Sequence, residues 1–241
     1  LDAAWTPHRN SGVAIVSGAP HAWRCTTAVS SYDSLFRDAG SLNLIQAAEV
    51  LAGAPLTLAA VDMPLAGIPI VSRRDCDNQI ARAFGACGCG VHSSTPDRPG
   101  KVSSDLMAEF ARAGFDLAVN GTPLRDRQVI EVYPHIAVMR LLGEAYRVPY
   151  KIGRARQYWP EKTPAQRRLK IRQNFGRILT ALERRFQGTP LTLPARTAGP
   201  TELKRFEDAL DAIVCAWIGT QYLEGKCRAY GDDTASIWVP A

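Results

Sequence analysis

Asp208 and Asp211 stand three residues apart in the segment Phe206-Glu-Asp-Ala-Leu-Asp-Ala-Ile-Val-Cys-Ala-Trp217. Phe206, Leu210, Ile213, Val214 and Trp217 recur at helical spacing, which predicts a helix with a buried stripe. Residues at i and i+3 are neighbours on a helix surface, so both carboxylates border that stripe. The small residues Ala209, Ala212, Cys215 and Ala216 would let the helix press closely against another element. Carboxylates in such a place lose hydration and repel one another, and a divalent cation held by oxygen ligands is one compensation. The plainer reading is a solvated helix edge, with Lys204 one turn before Asp208.

The elements that would position further acids follow from the chain's apolar runs. Thr57-Leu-Ala-Ala-Val-Asp62 is nearly continuously apolar and bounded by Pro55 and Pro64, as in a strand buried on both faces. Asp62 closes it, at the carboxyl end where α/β proteins place ligands. Gly12 to Ser17 predicts another strand, with His21 to Ser30 its hairpin partner. Asp2 precedes them as if ending a first strand whose start lies upstream. Val129-Ile-Glu-Val-Tyr133 predicts a strand carrying Glu131, followed by a helix from His135 to Leu142. Leu42 to Ala52 predicts an apolar helix closed by Gly53, and 85–100 a long surface loop. Acids at strand positions together with Asp208 and Asp211 offer hard oxygen ligands, which favour Mg²⁺ or Mn²⁺ over zinc. Two carboxylates about 4 Å apart repel by roughly 4 kcal/mol at an effective dielectric near 20.

Positive charge is concentrated elsewhere. The net charge is +6, yet residues 151–186 hold eleven Lys or Arg against Glu161 and Glu183. From Pro164 to Phe186, Ile171, Phe175, Ile178, Leu182 and Phe186 mark a buried helix face. Arg167, Arg168, Lys170 and Arg172 lie largely off it and are candidate phosphate contacts, although a charge run on a helix is usually a solvated face. Tyr158 and Trp159 could stack on unpaired bases or simply pack. No apolar run reaches the roughly 18 residues that span a bilayer. Six scattered cysteines do not suggest a disulfide framework and fit a reduced, cytoplasmic compartment. Cys87-Gly-Cys89 with His92 invites zinc, but the gap is shorter than the usual two to four residues.

Taken in order, several short motifs resemble a known family. They are Asp2-Ala-Ala-Trp5 with Ser11-Gly-Val-Ala14, then Val61-Asp-Met-Pro-Leu65, Arg73-Arg-Asp-Cys-Asp77 with Arg82, and Glu131-Val-Tyr-Pro-His135. Tyr150-Lys151, Lys204 to Ala212 and Ile237-Trp-Val-Pro240 complete the set. The chain resembles the predicted RNase H-like nucleases catalogued as a domain of unknown function (number 429), distant relatives of the RuvC-type resolvases. Gly67 falls one position later than that pattern. The resemblance implies one α/β domain over 1–241, built on an RNase H-like core. Its mixed five-stranded sheet would be flanked by helices, with a basic helical insertion at about 151–190 before the C-terminal helix. It implies Asp2, Asp62, Asp208 and Asp211 as ligands of Mg²⁺ or Mn²⁺, with Glu131 a fifth catalytic candidate. The chemistry would be two-metal-ion hydrolysis of nucleic acid. Arg73, Arg82 and Lys151 would join the basic helix in holding substrate. Arg73, Arg74 and Arg82 could instead pair with Asp75 and Asp77, and His135 could shuttle protons or cap its helix. A nucleotide phosphohydrolase on the related actin-like core is an alternative, although no Gly-rich cradle stands out beyond Cys87–Gly90. A non-catalytic nucleic-acid-binding module is another.

Overall fold

A computed structural model describes residues 1–6, 10–41 and 43–241 of the chain. Strands β1 (Val13–Ser17) and β2 (Arg24–Val29) form an antiparallel hairpin with a bulge between Ile15 and Val16. The second strand starts three residues later than the sequence predicts, because the turn takes His21 into the left-handed region at φ 68°. Two helices follow, α1 (Tyr32–Ala39) and α2 (Leu44–Ala52). The first was not expected; it is capped by the Ser31 side chain and closed by Gly40. Leu42, the expected start of the second, lies outside the described residues.

The main sheet begins with β3 (Leu58–Val61). Helices α3 (Asp75–Phe84) and α4 (Lys101–Arg112) intervene before β4 (Asp116–Leu117) and β5 (Gln128–Val132). After β5 come α5 (Pro134–Leu142), a short 3-10 turn at Ile152–Arg154, α6 (Ala155–Tyr158), α7 (Pro164–Glu183) and α8 (Pro200–Leu223). A closing hairpin, β6 (Cys227–Gly231) and β7 (Ser236–Pro240), completes the sheet. The order is β3-β5-β7-β6, with β4 pairing the start of β5. β3, β4 and β7 run parallel to β5, and β6 runs antiparallel to β7. This is an α/β architecture with a mixed five-stranded sheet flanked by helices, and the helical insertion before α8 is present.

Leu1 and Asp2 stitch the hairpin to that sheet. The Leu1 amino group donates to the Ala60 carbonyl at 2.8 Å, and Asp62 N–H donates to the Leu1 carbonyl at 2.9 Å, a parallel pattern. Asp2 and Gly12 exchange both backbone bonds at 2.9 Å, an antiparallel pattern. Across the molecule the succession is therefore β2, β1, Leu1–Asp2, β3, β5, β7, β6, consistent with an RNase H-like core. Past Leu1 the facing edges of β1 and β3 stay apart. Between them lies a cavity of about 320 Å³, lined by Val13, Ile15, Ala48, Leu58, Ala60 and Gly219 among others.

Both faces of the sheet are covered, which is why its strands read as continuous apolar runs. Ala60, Ile130 and Val132 point into the core shared with α7 and α8. Val61 and Val129 point the other way, into a core with Leu35, Ile45 and Phe110. On α7 the predicted buried face is observed, since Ile171, Phe175, Ile178 and Leu182 are all fully buried. From Phe206 onward α8 is enclosed nearly all round, so Glu207, Asp208 and Asp211 are buried with its apolar residues. Asp208 is 5% exposed and Asp211 0%, which removes the solvated-edge reading of this helix.

Candidate active site

Three backbone junctions bring four aspartates together. Asp62 follows β3 directly, and its N–H is held by Leu1. Asp2 is bonded to Gly12, and Gly12 crosses α8 where there is no room for a side chain. A Cβ there would sit 2.0 Å from the Asp208 carbonyl oxygen and 3.3 Å from the Ala212 Cβ. The glycine thus lets the strand carrying Asp2 approach the turn of α8 that carries Asp208 and Asp211. Burial raises the Asp2 carboxyl to about 7, helped by Asp211 and Asp208 and opposed by Lys151 and Lys204. Asp62 is pushed well above the ordinary carboxylate range by burial, then by Asp2, Asp211 and Glu131, with Lys151 opposing. Asp208 is also raised, by burial first, with Lys204 opposing and Glu207 and Asp211 adding to the rise.

Two lysines enter this cluster. Lys151 binds Asp211 Oδ2 directly and lies 3.9 Å from Glu207 Oε1. Tyr150 OH donates to the other oxygen, Asp211 Oδ1, at 2.7 Å. Lys204 bridges Glu207 Oε1 at 2.7 Å and Asp208 Oδ1 at 2.5 Å, and Ile152 N–H donates to Glu207 Oε2 at 2.6 Å. Burial alone would lower the Lys151 pKa, but Asp211, Tyr150, Asp2 and Glu207 together hold it well above its ordinary value. Lys151, expected to meet substrate, pairs with Asp211 while its side chain stays 19% exposed. Glu207 was missed by sequence reasoning. Its signal was adjacency to Asp208 on a helix that is enclosed nearly all round from Phe206 onward.

The carboxylates therefore divide into two kinds. Asp208 and Asp211 already have cations, whereas among the described residues no hydrogen bond engages the carboxylates of Asp2 and Asp62. Their hard oxygens, partial desolvation and the repulsion by which Asp2 raises Asp62 suit a divalent cation. As the side chains stand, no three His, Cys, Asp or Glu among the described residues are arranged to hold a metal ion. The fit is therefore partial: two open ligands, with the other two engaged by lysine.

Glu131 has different partners. It lies opposite Val61 in the β3–β5 register, one residue from Asp62. Arg74 Nη1 and Nη2 donate to its two oxygens at 2.5 and 2.7 Å, and Leu65 N–H adds a bond at 2.7 Å. The same guanidinium donates to Asp77 Oδ1 at 2.8 Å. Burial raises the Glu131 pKa and Arg74 opposes that rise. With Glu131 4% and Asp77 1% exposed, this is a buried, bidentate ion-pair network. Arg73 bonds Asn78, Ser93 and the Asp77 carbonyl, and exposed Arg82 lies 3.8 Å from Asp75.

His135 is buried on the first turn of α5, with Nε2 2.5 Å from Arg147 Nη2. Burial, then Lys151, Arg147 and Arg154, hold its pKa well below the ordinary histidine value, so the ring is neutral. The N-cap of this helix is Tyr133, with no side-chain capping bond. On α7, Arg167 donates to the Trp159 and Pro160 carbonyls at 2.9 and 2.8 Å, and Arg172 to Pro194 at 2.6 Å. The side chains of Arg168 and Lys170 make no hydrogen bond within the described residues. Tyr158 and Trp159 pack against the α7–α8 core.

All six cysteines are unpaired, and among the described residues no helix is long and apolar enough to cross a membrane. No curated protein and no solved structure gives a significant match to the chain. One family profile does match, described as "Protein of unknown function (DUF429)", and it covers residues 2–235. That span takes in Asp2, Gly12, Asp62, Lys151 and the whole of α8, and the chain belongs to this family.

Proposed function

We propose that the chain is a metal-dependent hydrolase of phosphodiester bonds in nucleic acid, with its centre at Asp2 and Asp62. The observation that supports this most is this pair of half-buried carboxylates, both with raised pKa and Asp2 among the causes at Asp62, with no partner among the described residues. They would hold Mg²⁺ or Mn²⁺, which when bound screens the charge of a phosphodiester and acidifies a water nucleophile. Lys151, Tyr150 and Lys204 keep Asp211 and Asp208 fixed beside that pair. A two-metal arrangement needs Lys151 and Lys204 to release those aspartates to a second ion. Arg168 and Lys170 on α7 are the basic-helix residues open to the substrate backbone. A cytoplasmic site of action belongs to the same reading, in keeping with the six unpaired cysteines.

One observation favours a second reading, a nucleic-acid-binding module without catalysis. Lys151 already neutralises Asp211, as a substitute for a metal would. Cleavage assays with Mn²⁺ on single-stranded and branched DNA and RNA separate the two. The hydrolase reading expects cleavage that falls by about a hundredfold or more in a folded Asp62→Asn protein. It also expects poor turnover of free ATP, since no Gly-rich cradle fixes the β- and γ-phosphates. Nucleic-acid binding without cleavage at any divalent concentration would leave the module.

A further inference from the structure

A second group of charged residues lies one side chain away from the acids and is unused by the proposed reaction. Arg147 follows α5 and is tied to the 85–100 loop through its N–H, which donates to the Cys87 carbonyl at 2.9 Å. Its Nη2 lies 2.5 Å from His135 Nε2. Arg154, in the 3-10 turn beside Lys151, places Nη2 3.1 Å from His92 Nε2. Neither arginine has a carboxylate within ion-pair distance among the described residues. Arg82, Arg127 and Arg177 do, although most arginines among the described residues do not. The positive field is felt locally, since Arg154, Arg98 and Arg147 add to the burial that lowers the His92 pKa.

Donors outnumber acceptors here. With His135 Nε2 accepting from Arg147, the ring proton sits on Nδ1, and that atom is buried without a partner. Arg147 Nε is buried without a partner as well. Half-buried guanidinium groups of like charge, with donors left over, lack a negatively charged acceptor. The group adjoins the acids. The His135 ring lies 5.5 Å from that of Tyr150, whose hydroxyl donates to Asp211.

We propose that Arg147 and Arg154, with His92 beside them, form a phosphate-binding subsite that takes a backbone phosphate of a nucleic-acid strand next to the one lying over Asp2 and Asp62. Planar guanidinium forks match the non-bridging oxygens of a phosphodiester. Lys151 stands between this subsite and the acids, so a strand crossing both would meet positive charge on one side and the carboxylates on the other. The identity of the phosphate as a neighbour of the scissile one rests on the hydrolase reading; anion binding by these arginines does not.

The test is fluorescence anisotropy with a labelled short oligothymidylate lacking terminal phosphates, in EDTA, over a range of salt. Arg147→Gln with Arg154→Gln should weaken binding about tenfold or more and flatten the log–log salt slope by roughly 1.4 units, two single-strand contacts. Arg154→Gln alone, whose only side-chain bond among the described residues is to exposed His92, covers the case in which the double variant does not fold, and should flatten the slope by about 0.7. Competition by inorganic phosphate at equal ionic strength, stronger than by chloride in the wild type and absent in the variants, would support the subsite. Affinity and slope unchanged in folded variants would overturn it, as would binding that depends only on a terminal phosphate. Loss of the arginine effect with Asp62-dependent cleavage intact sinks the subsite alone. An arginine effect without any cleavage sinks the hydrolase reading alone.

Discussion

Because burial and Asp211 raise the Asp2 carboxyl to about 7, the folded chain carries a proton there that the unfolded chain releases near pH 4. Its contribution to stability is full below about pH 4 and is lost as pH rises through about 7; Asp62, shifted the same way, adds the same sign. In EDTA the melting temperature should therefore fall between pH 5 and 8, and millimolar Mn²⁺ should restore it most at the high end, where the carboxylates are ionised. Thermal melts across that range check this, and a metal-free stability that climbs with pH would contradict it. Arg74 gives a second test. Removing it leaves Glu131 and Asp77 buried and uncompensated, so Arg74→Met should cost about 3–5 kcal/mol in urea denaturation. A loss under about 1 kcal/mol would mean that Glu131 is free for other work. The sequence motif Arg73-Arg-Asp-Cys-Asp77 held both readings open. Which arginine turns inward depends on the depth of Glu131 in the sheet, which local spacing does not encode.

α8 and the strands it carries decide whether the aspartates meet. Gly12→Ala drives a methyl into the backbone of Asp208, where no side chain can give way. It should cost about 2–3 kcal/mol or more and weaken any divalent-metal stabilisation, measurable together by melts with and without Mn²⁺. Gly219 on the same helix is the opposite case. Its added Cβ would meet the Ala60 Cβ and Leu58 Cδ2 at 3.4 Å, beside the cavity between β1 and β3. Gly219→Ala should raise stability by about 0.5–1 kcal/mol through helix propensity, and a clear loss would show that this cavity wall cannot accept the methyl. α8, β3 and β5 were legible in the sequence because each is a long or tightly bounded apolar pattern. The closing hairpin was not, because Cys-Arg-Ala-Tyr-Gly231 has only weak strand patterning and draws its stability from pairing with β7 and packing on α3. α3 and α4 were hidden for a similar reason, with one buried face among many charges.

At the scale of the whole molecule, an acid centre and a basic helical insertion divide the charge. Arg167 and Arg172 bond loop carbonyls, so in the proposed reading Arg168 and Lys170 are the phosphate candidates on α7. Neutralising Arg168 and Lys170 to Gln should flatten the salt dependence of single-strand binding by about 1.4 units, whereas Arg167→Gln should lower stability and leave the slope nearly unchanged. A slope indifferent to Arg168 and Lys170 would return α7 to a solvated face. The four aspartates were nameable from the sequence, but Lys151 at their centre was not read as their counter-ion, since nothing in Tyr150-Lys151 says which way the lysine turns. The central claim is that Asp2 and Asp62 hold a divalent ion despite that lysine. Anomalous scattering from crystals soaked in millimolar Mn²⁺ tests it most directly. The account predicts a peak at roughly 2–2.5 Å from oxygens of both Asp2 and Asp62, absent from Asp62→Asn crystals. No peak at that position, with the Lys151 ammonium still seated on Asp211, would contradict it.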